Sequence, residues 1–354
     1  MPEQQLRLPW VDTLRGLAII LMVPANLAPY LAEPHPVWFR ILGSFAAPTF
    51  IMLSAGMIVL RGEKHNLAYY LKRGGIVVGV GVLLDTLLWG IFPFTSFDVL
   101  YPIGIAMPLL YLLRRSDSRE LLYISVIIIL ATYVVQALFG YHAEPLEVYF
   151  DDIWMPSIVR ILQSWFIDGW FPIFPWLGYA FIGALFFRTL FAEGTGTSHH
   201  FVTLGAGLTL TGFILLFAPI PFIRNIADGT ILVTRAGYSE IFYPPTFAYI
   251  FTSIGIVVLF STLLRRMTFN PTHSVLGFFG RHSMMVYILH QVIGSLVVQP
   301  IIAGYGEESI TSGPIFTLVN LAVLAVIALI CFGIEMLKHR YPPKSTIVQV
   351  LFGR

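Results

Sequence analysis

The chain has 354 residues and one cysteine, Cys331, so an intrachain disulfide is excluded and a cysteine-based zinc site has no second thiol. Charge is scarce as well. Asp, Glu, Lys and Arg make up 11% of the sequence, where soluble domains carry about 25%. The balance is 21 basic against 19 acidic residues, so no global field points to a nucleic acid partner. No H-E-x-x-H occurs, and His199 and His200 are adjacent, which points them apart on a helix. A G-x-S-x-G elbow is missing, as is a Gly-rich turn followed by Lys-Ser/Thr. These absences disfavour a metalloenzyme, a serine hydrolase and a phosphate-cradling loop.

What is abundant is apolar. Hydrophobic residues make up 57% of the chain, and the mean hydropathy is +0.80. Windows near the ~20 residues needed to cross a bilayer recur along the whole chain. The clearest are 16–32, 41–60, 121–141, 169–187, 201–223, 241–264 and 309–334. Three weaker windows complete the set: 74–92, interrupted by Asp85; the short 99–113; and 283–303, containing His290. The expectation is an all-α polytopic membrane bundle of about ten helices, forming a single domain over 1–354 in association with a lipid bilayer. The first apolar stretch lacks an A-x-A-like end and is read as a retained helix rather than a signal peptide.

Basic residues sort by side. With the N-terminus inside, Arg7, Arg61, Lys64, Lys72, Arg73, Arg114, Arg115, Arg265, Arg266 and Arg281 share one face with it, and only Arg40, Arg160, Arg224 and Arg235 fall opposite. The positive-inside rule then puts both termini in the cytoplasm. The opposite face is acidic, with Glu144, Glu147, Asp151, Asp152 and Asp168 in or beside segment 140–170. That segment is too polar to span and rich in aromatics, and is expected to form amphipathic helices on the outer surface. An interfacial aromatic belt accounts for Trp154, Trp165 and Trp170 without a ligand. Gly75 and Gly79 form a G-x-x-x-G read as a helix-packing motif.

Ionisable groups inside apolar spans are costly, at least ~2.5 kcal/mol each on insertion scales, and therefore mark candidate sites. Asp12 and Arg15, three apart, share one helical face. They read equally well as a structural ion pair and as an Asp-held Arg facing an anion. Asn26 lies eleven residues beyond Arg15, about 16 Å up the helix at ~1.5 Å per residue, between Pro24 and Pro29. Its plain role is to satisfy carbonyls that the prolines free. His35 follows, held between Pro34 and Pro36. Ser283, Tyr287 and His290 fall on one face of a late helix, and Asp85 is the other deep group, its partner undetermined between a histidine and Arg15.

Taken together, RLPWVDTLRGLAIILMVPAN, His35 and FAAPTFIMLSAG resemble the opening of the transmembrane acyltransferases related to heparan-α-glucosaminide N-acetyltransferase. FDVLYPIGIA, FPIFPWLGYAFIGALFF and GFFGRHSMMVYILHQV are similar to later motifs of that family, in the right order. The resemblance implies transfer of an acetyl group from cytoplasmic acetyl-CoA to an acceptor on the other side, with no metal. By matching position His35 takes the catalytic role, as general base, and Asn26 stands beside it. Asp12, Arg15, Asp85, Ser283, Tyr287 and His290 are supporting residues. An inner rim of Arg15, Lys72, Arg73, Arg265 and Arg281, with Arg7, would attract the CoA phosphates, although the positive-inside rule alone explains each one. Broader acyltransferase-3 relatives carry a histidine where this chain has Asn26, which favours the glucosaminide branch. His282 stands where Asn is common. The long lumenal N-terminal domain of the animal enzyme is absent, so the expected acceptor is an amino sugar or envelope glycan, in a prokaryotic cytoplasmic membrane, rather than heparan sulfate. A homodimer follows only from the resemblance. The competing reading is a non-enzymatic transporter or flippase for a glycolipid or amphiphile.

Overall fold

The structure is a computed structural model that describes residues 8–142, 144–152, 154–192, 198–217, 245–267, 274–305, 309–341 and 345–353. Its helices are α1 (Pro9–Asn26), α2 (Val37–Gly43), α3 (Ala46–Arg61), α4 (Leu67–Leu88), α5 (Leu100–Leu112), α6 (Ser118–Phe139), α7 (Ile158–Gln163), α8 (Ile173–Ala192) and α9 (Ser198–Phe217). They continue with α10 (Phe247–Arg266), α11 (Val275–Arg281), α12 (Ser283–Ile293), α13 (Gln299–Gly304), α14 (Gly313–Arg340) and α15 (Thr346–Phe352). Among the described residues there is no strand, only isolated bridges at Leu31–Ile310 and Ile91–Tyr149.

Among the described residues, seven helical segments are long and apolar enough to cross a membrane: 9–30, 38–61, 118–139, 173–192, 247–266, 283–304 and 313–340. The protein is therefore an integral, multi-pass membrane protein.

Local chemistry explains the clearest helix. Asp117 caps α6 by accepting from the Glu120 backbone N–H at 2.7 Å, and Glu120 returns a bond to the Asp117 N–H at 3.1 Å. Gly140, at φ +80°, ends it. Along α6, Tyr123, Ile127, Leu130, Val134 and Leu138 are exposed, and on α14 so are Leu318, Leu329, Phe332 and Met336. Water would penalise such apolar faces, and lipid does not. A large buried apolar cluster runs through the bundle, with Trp176, Tyr179 and Phe187 fully enclosed.

Close helix approach is set by glycines other than those expected. Gly75 and Gly79 face open space, so their G-x-x-x-G packs against nothing among the described residues. A Cβ on Gly74 would instead run into the Gly104 backbone, and one on Gly104 into Gly74, which brings α4 and α5 together. Gly16 lies against the Leu276 carbonyl and Gly280 against the Asp12 carbonyl, pressing α11 onto the start of α1.

Segment 140–170 also departs from expectation. Among its described residues it is helical only over Ile158–Asp168, and the others are irregular. Pro145 and Pro156 interrupt it, and its backbone is paired instead with residues 90–92, through Phe92 N–H to Val148 O and Phe150 N–H to Gly90 O. Asp168 pins it down. Fully buried, it accepts from Arg160 Nη1 at 2.7 Å and lies 2.5 Å from His142 Nδ1. The Trp165 indole donates to Phe94 O at 2.8 Å, and Trp154 is exposed.

Candidate functional site

A cavity of about 820 Å³ follows α1 from end to end: Leu8, Val11, Asp12 and Arg15 line it at one end of the helix, and Ala25, Asn26 and Pro29 at the other. At ~1.5 Å per residue that helix is about 27 Å long, close to the ~30 Å of a hydrocarbon core.

One end is basic. The Gly16 and Gly280 contacts deliver Arg281, His282 and Ser283 beside Asp12 and Arg15, and all five line the cavity. Arg15 Nη1 is 3.7 Å from Asp12 Oδ1, and Arg281 Nε is 3.9 Å from Glu335 Oε1. Arg61, His65, Tyr69 and Arg73 form the facing wall. There the His65 and Tyr69 rings stack at 3.9 Å, and Arg73 Nη1 donates to Tyr69 Oη at 3.3 Å. From α15, Gln349 and Gly353 close the same end. Burial lowers the His282 imidazole from its ordinary range, with the Lys338 charge adding to the effect.

The other end carries three carboxylates, Asp85, Asp98 and Glu147. Asp85 is partnered neither by a histidine nor by Arg15. Its Oδ2 accepts from Tyr101 Oη on α5 at 3.0 Å. Asp98 accepts from Tyr287 Oη and, at 2.6 Å, from the Val99 N–H. Glu147 accepts from Trp170 Nε1 at 2.9 Å and from Tyr149 Oη at 2.7 Å. Trp170 is thus a cavity-wall residue as well as an aromatic at the bundle's end. Burial pushes the Asp98 carboxyl above the usual aspartate range, against the opposing bond from Tyr287, and burial also raises the Tyr149 phenol.

At the same end as Ala25 and Pro29, Asn26 Nδ2 lies 2.9 Å from His290 Nε2. His290 Nδ1 is 3.1 Å from the Val286 carbonyl, which can only accept, so Nδ1 carries the proton and Nε2 accepts from Asn26. Asn26 therefore joins two helices rather than serving carbonyls freed by its flanking prolines.

His35 is 6% exposed and lies five residues past Tyr30, which lines the cavity; His35 itself is not among the lining residues. Its Nε2 donates to Leu31 O at 2.9 Å, so Nδ1 keeps its lone pair, and no hydrogen-bond partner for Nδ1 is present among the described residues. The preceding chain is fixed by Ala32 N–H to Ile310 O and Ile310 N–H to Tyr30 O.

Of the expected inner rim, the structure gathers Arg15, Arg73 and Arg281 at the cavity. Lys72 sits on the exposed side of α4. Arg265 is spent elsewhere, donating to Leu190 O and lying over the Phe191 ring at 4.8 Å, which caps the end of α8. Arg7 lies outside the described residues. Ser283 and Tyr287 line the cavity, as their shared face requires, and His290 stands behind Asn26. Reading the sequence missed Asp98, Tyr101, Tyr149 and His282 as site residues. FDVLYPIGIA holds the first two three residues apart, the one local signal available. No group of three or more His, Cys, Asp or Glu side chains able to hold a metal occurs among the described residues.

The sequence profile of the family described as Heparan-alpha-glucosaminide N-acetyltransferase, catalytic, matches residues 7–212. The chain belongs to this family. Comparison with curated proteins found no match. The family match spans α1 to α9 and so includes Asp12, Arg15, Asn26, His35 and Asp85. The Arg281–His290 stretch lies beyond it, brought to the same cavity by the packing of α11 on α1.

Proposed function

We propose that the protein transfers an acetyl group from cytoplasmic acetyl-CoA to an amino sugar or envelope glycan on the opposite side of the membrane. The observation that carries this reading is the cavity that follows α1 over its whole length, basic at one end and acidic at the other. The positive-inside rule assigns the basic end to the cytoplasm. Arg15, Arg73 and Arg281 suit the anionic part of the donor, and the mostly apolar middle suits its pantetheine arm. At the far end, carboxylates and an indole fit a sugar bearing an amine, which Asp85, Asp98 and Glu147 would hold by charge and hydrogen bonding.

In the reaction the acceptor nitrogen or oxygen attacks the thioester carbonyl, its proton passes to His35 Nδ1, and the CoA thiolate leaves. An imidazole whose Nδ1 lone pair has no partner among the described residues suits this role. An amide carries two N–H donors, and one of those on Asn26 is engaged by His290. The second supports the developing oxyanion, a contact worth about 2.7–4 kcal/mol in other enzymes.

The test uses purified protein, radiolabelled acetyl-CoA and a panel of amino sugars, comparing wild type with His35→Ala. Transfer by wild type that disappears in the variant, with donor binding retained, supports the reading. Folded wild type that neither binds acetyl-CoA nor transfers label overturns it in favour of a transporter.

A further inference from the structure

Beside the acidic end of the cavity lies a second hollow that the proposed reaction does not use. It is an apolar groove of about 390 Å³ between residues 92–95 and 155–165, with Phe92, Phe94, Met155, Ile158, Leu162 and Trp165 on its walls. Among the lining residues only Thr95 and Trp165 carry a side-chain donor, and both are spent within the chain. Thr95 Oγ1 donates to Phe92 O at 2.8 Å, and Trp165 Nε1 to Phe94 O at 2.8 Å. The groove therefore presents a carbon surface. Phe94 sits at φ +65°, a left-handed backbone that suits glycine and strains a bulky residue. That strain is kept with a phenylalanine whose exposed ring forms part of the groove wall.

The groove is continuous with the lipid-facing surface. Gln163 of α7 donates from Nε2 to Phe139 O at 3.0 Å, which docks α7 against the end of α6. Leu138 and Phe139 are exposed there, as are Ile158, Val159 and Leu162 on α7. Because α6 is one of the membrane-length helices, the groove stands at the rim of the bilayer, on the side that the positive-inside rule makes extracytoplasmic.

It also shares a wall with the cavity. Ile91 and Tyr149 form an antiparallel bridge, and both line the cavity. The next residues, Phe92 and Phe150, meet ring to ring at 5.7 Å, and Phe92 lines the groove, since successive residues of extended backbone face opposite ways. Trp165 packs on Phe97 at 5.2 Å and on Tyr101 at 6.4 Å, and Tyr101 is the residue that donates to Asp85 in the cavity.

We infer that this groove seats the hydrocarbon chain of the acceptor, so that the substrate is a membrane-anchored amino sugar, its head at Asp85, Asp98 and Glu147 and its chain against Phe92, Phe94, Ile158 and Leu162. The assignment rests on the acetyltransferase reading. A chain that leaves the bilayer gains little from burial, because lipid is as apolar as the groove. What the chain supplies is a tether, which raises the effective concentration of the sugar at the acidic end.

The experiment uses full-length protein in phosphatidylcholine nanodiscs. Acetyl transfer to dodecyl glucosaminide and to methyl glucosaminide is compared as kcat/KM, in wild type and in the double variant Ile158→Gln/Leu162→Gln, which changes two exposed positions. Partition into the bilayer enriches the dodecyl compound alike for both proteins, so the readout is the dodecyl-to-methyl ratio. It should fall at least fivefold in the double variant. Leu162→Trp, which fills the groove without adding charge, should lower it in the same direction and serves should the double variant fail to fold. In parallel, wild type without acetyl-CoA is photolabelled by a dodecyl glucosaminide carrying a diazirine at its chain end, and separately by a diazirine-bearing phosphatidylcholine. The glucosaminide should label 92–95 and 155–165, and unlabelled dodecyl glucosaminide should compete where methyl glucosaminide does not.

An unchanged ratio in folded variants that still transfer acetyl overturns the groove alone, and so does a lack of labelling at these residues. Labelling by phosphatidylcholine that dodecyl glucosaminide fails to displace overturns it too, and makes the groove an ordinary bilayer contact. Competed glucosaminide labelling in a protein that acetylates neither glycoside leaves the groove standing and sinks the acetyltransferase reading alone.

Discussion

Asn26, the last residue of α1, donates from Nδ2 to His290 Nε2 on α12 across 2.9 Å, joining positions 264 residues apart. The bond fixes the His290 tautomer, since Nδ1–H is already given to Val286 O. It also ties the helix that carries the cavity along its length to the helix that begins at its basic end.

Removing that donor leaves His290 Nε2 buried and unpaired. Asn26→Ala should therefore cost about 1–3 kcal/mol of stability, read by thermal unfolding in detergent. Adding His290→Phe to Asn26→Ala should cost less than the two single changes combined, because the orphaned nitrogen is gone. Strict additivity would show that the two side chains do not interact.

The glycine contacts give opposite outcomes at sites with the same chemistry. Gly280→Ala forces a methyl into the Asp12 carbonyl and should destabilise by about 1–3 kcal/mol or prevent folding. Gly79→Ala meets nothing and should stabilise by up to about 1 kcal/mol through helix propensity. Melting temperatures of the two variants against wild type decide it.

Asp168 has no exposed surface, and Arg160 Nη1 donates to it at 2.7 Å. Arg160→Met leaves a buried carboxylate short of compensation, an effect of about 3–5 kcal/mol in comparable buried pairs. The loss should fall locally. Limited proteolysis should cut within 140–170 faster in the variant, while the transmembrane core stays protected.

A pH dependence follows from Asp98. Burial raises its carboxyl, so the folded protein holds this proton more tightly than the unfolded chain does. Stability from this group is complete below the ordinary aspartate value of about 4 and falls as pH rises towards the raised value. Asp98→Asn keeps an acceptor for Tyr287 and removes the ionisation. The variant should melt above wild type at neutral pH, with the difference closing near pH 4, and a gap independent of pH would refute the argument.

Several of these relationships could be read along the chain and others could not. The apolar spans, the capped start of α6 and the Asp12–Arg15 neighbours were all open to reading, because each depends on residues within a turn or on the local cost of burying charge. The acidic and aromatic mixture of 140–170 marked a surface segment. Its irregular course did not show, since the partners of its backbone lie at residues 90–92.

The sequence by itself determined that this chain lives in a bilayer and where its long apolar helices run. It also placed Asn26 and His35 near one end of α1, because hydropathy and helical spacing act over short stretches. Only the tertiary structure decided that Asp85 pairs with Tyr101, that Asp98 pairs with Tyr287, and that Glu147 is gripped by Trp170. It alone selected Gly74, Gly104, Gly16 and Gly280 as contact glycines over Gly75 and Gly79. The physical reason is the same throughout. Which helices become neighbours is settled by how whole faces pack, and a cavity between them exists only once residues far apart in the chain have met.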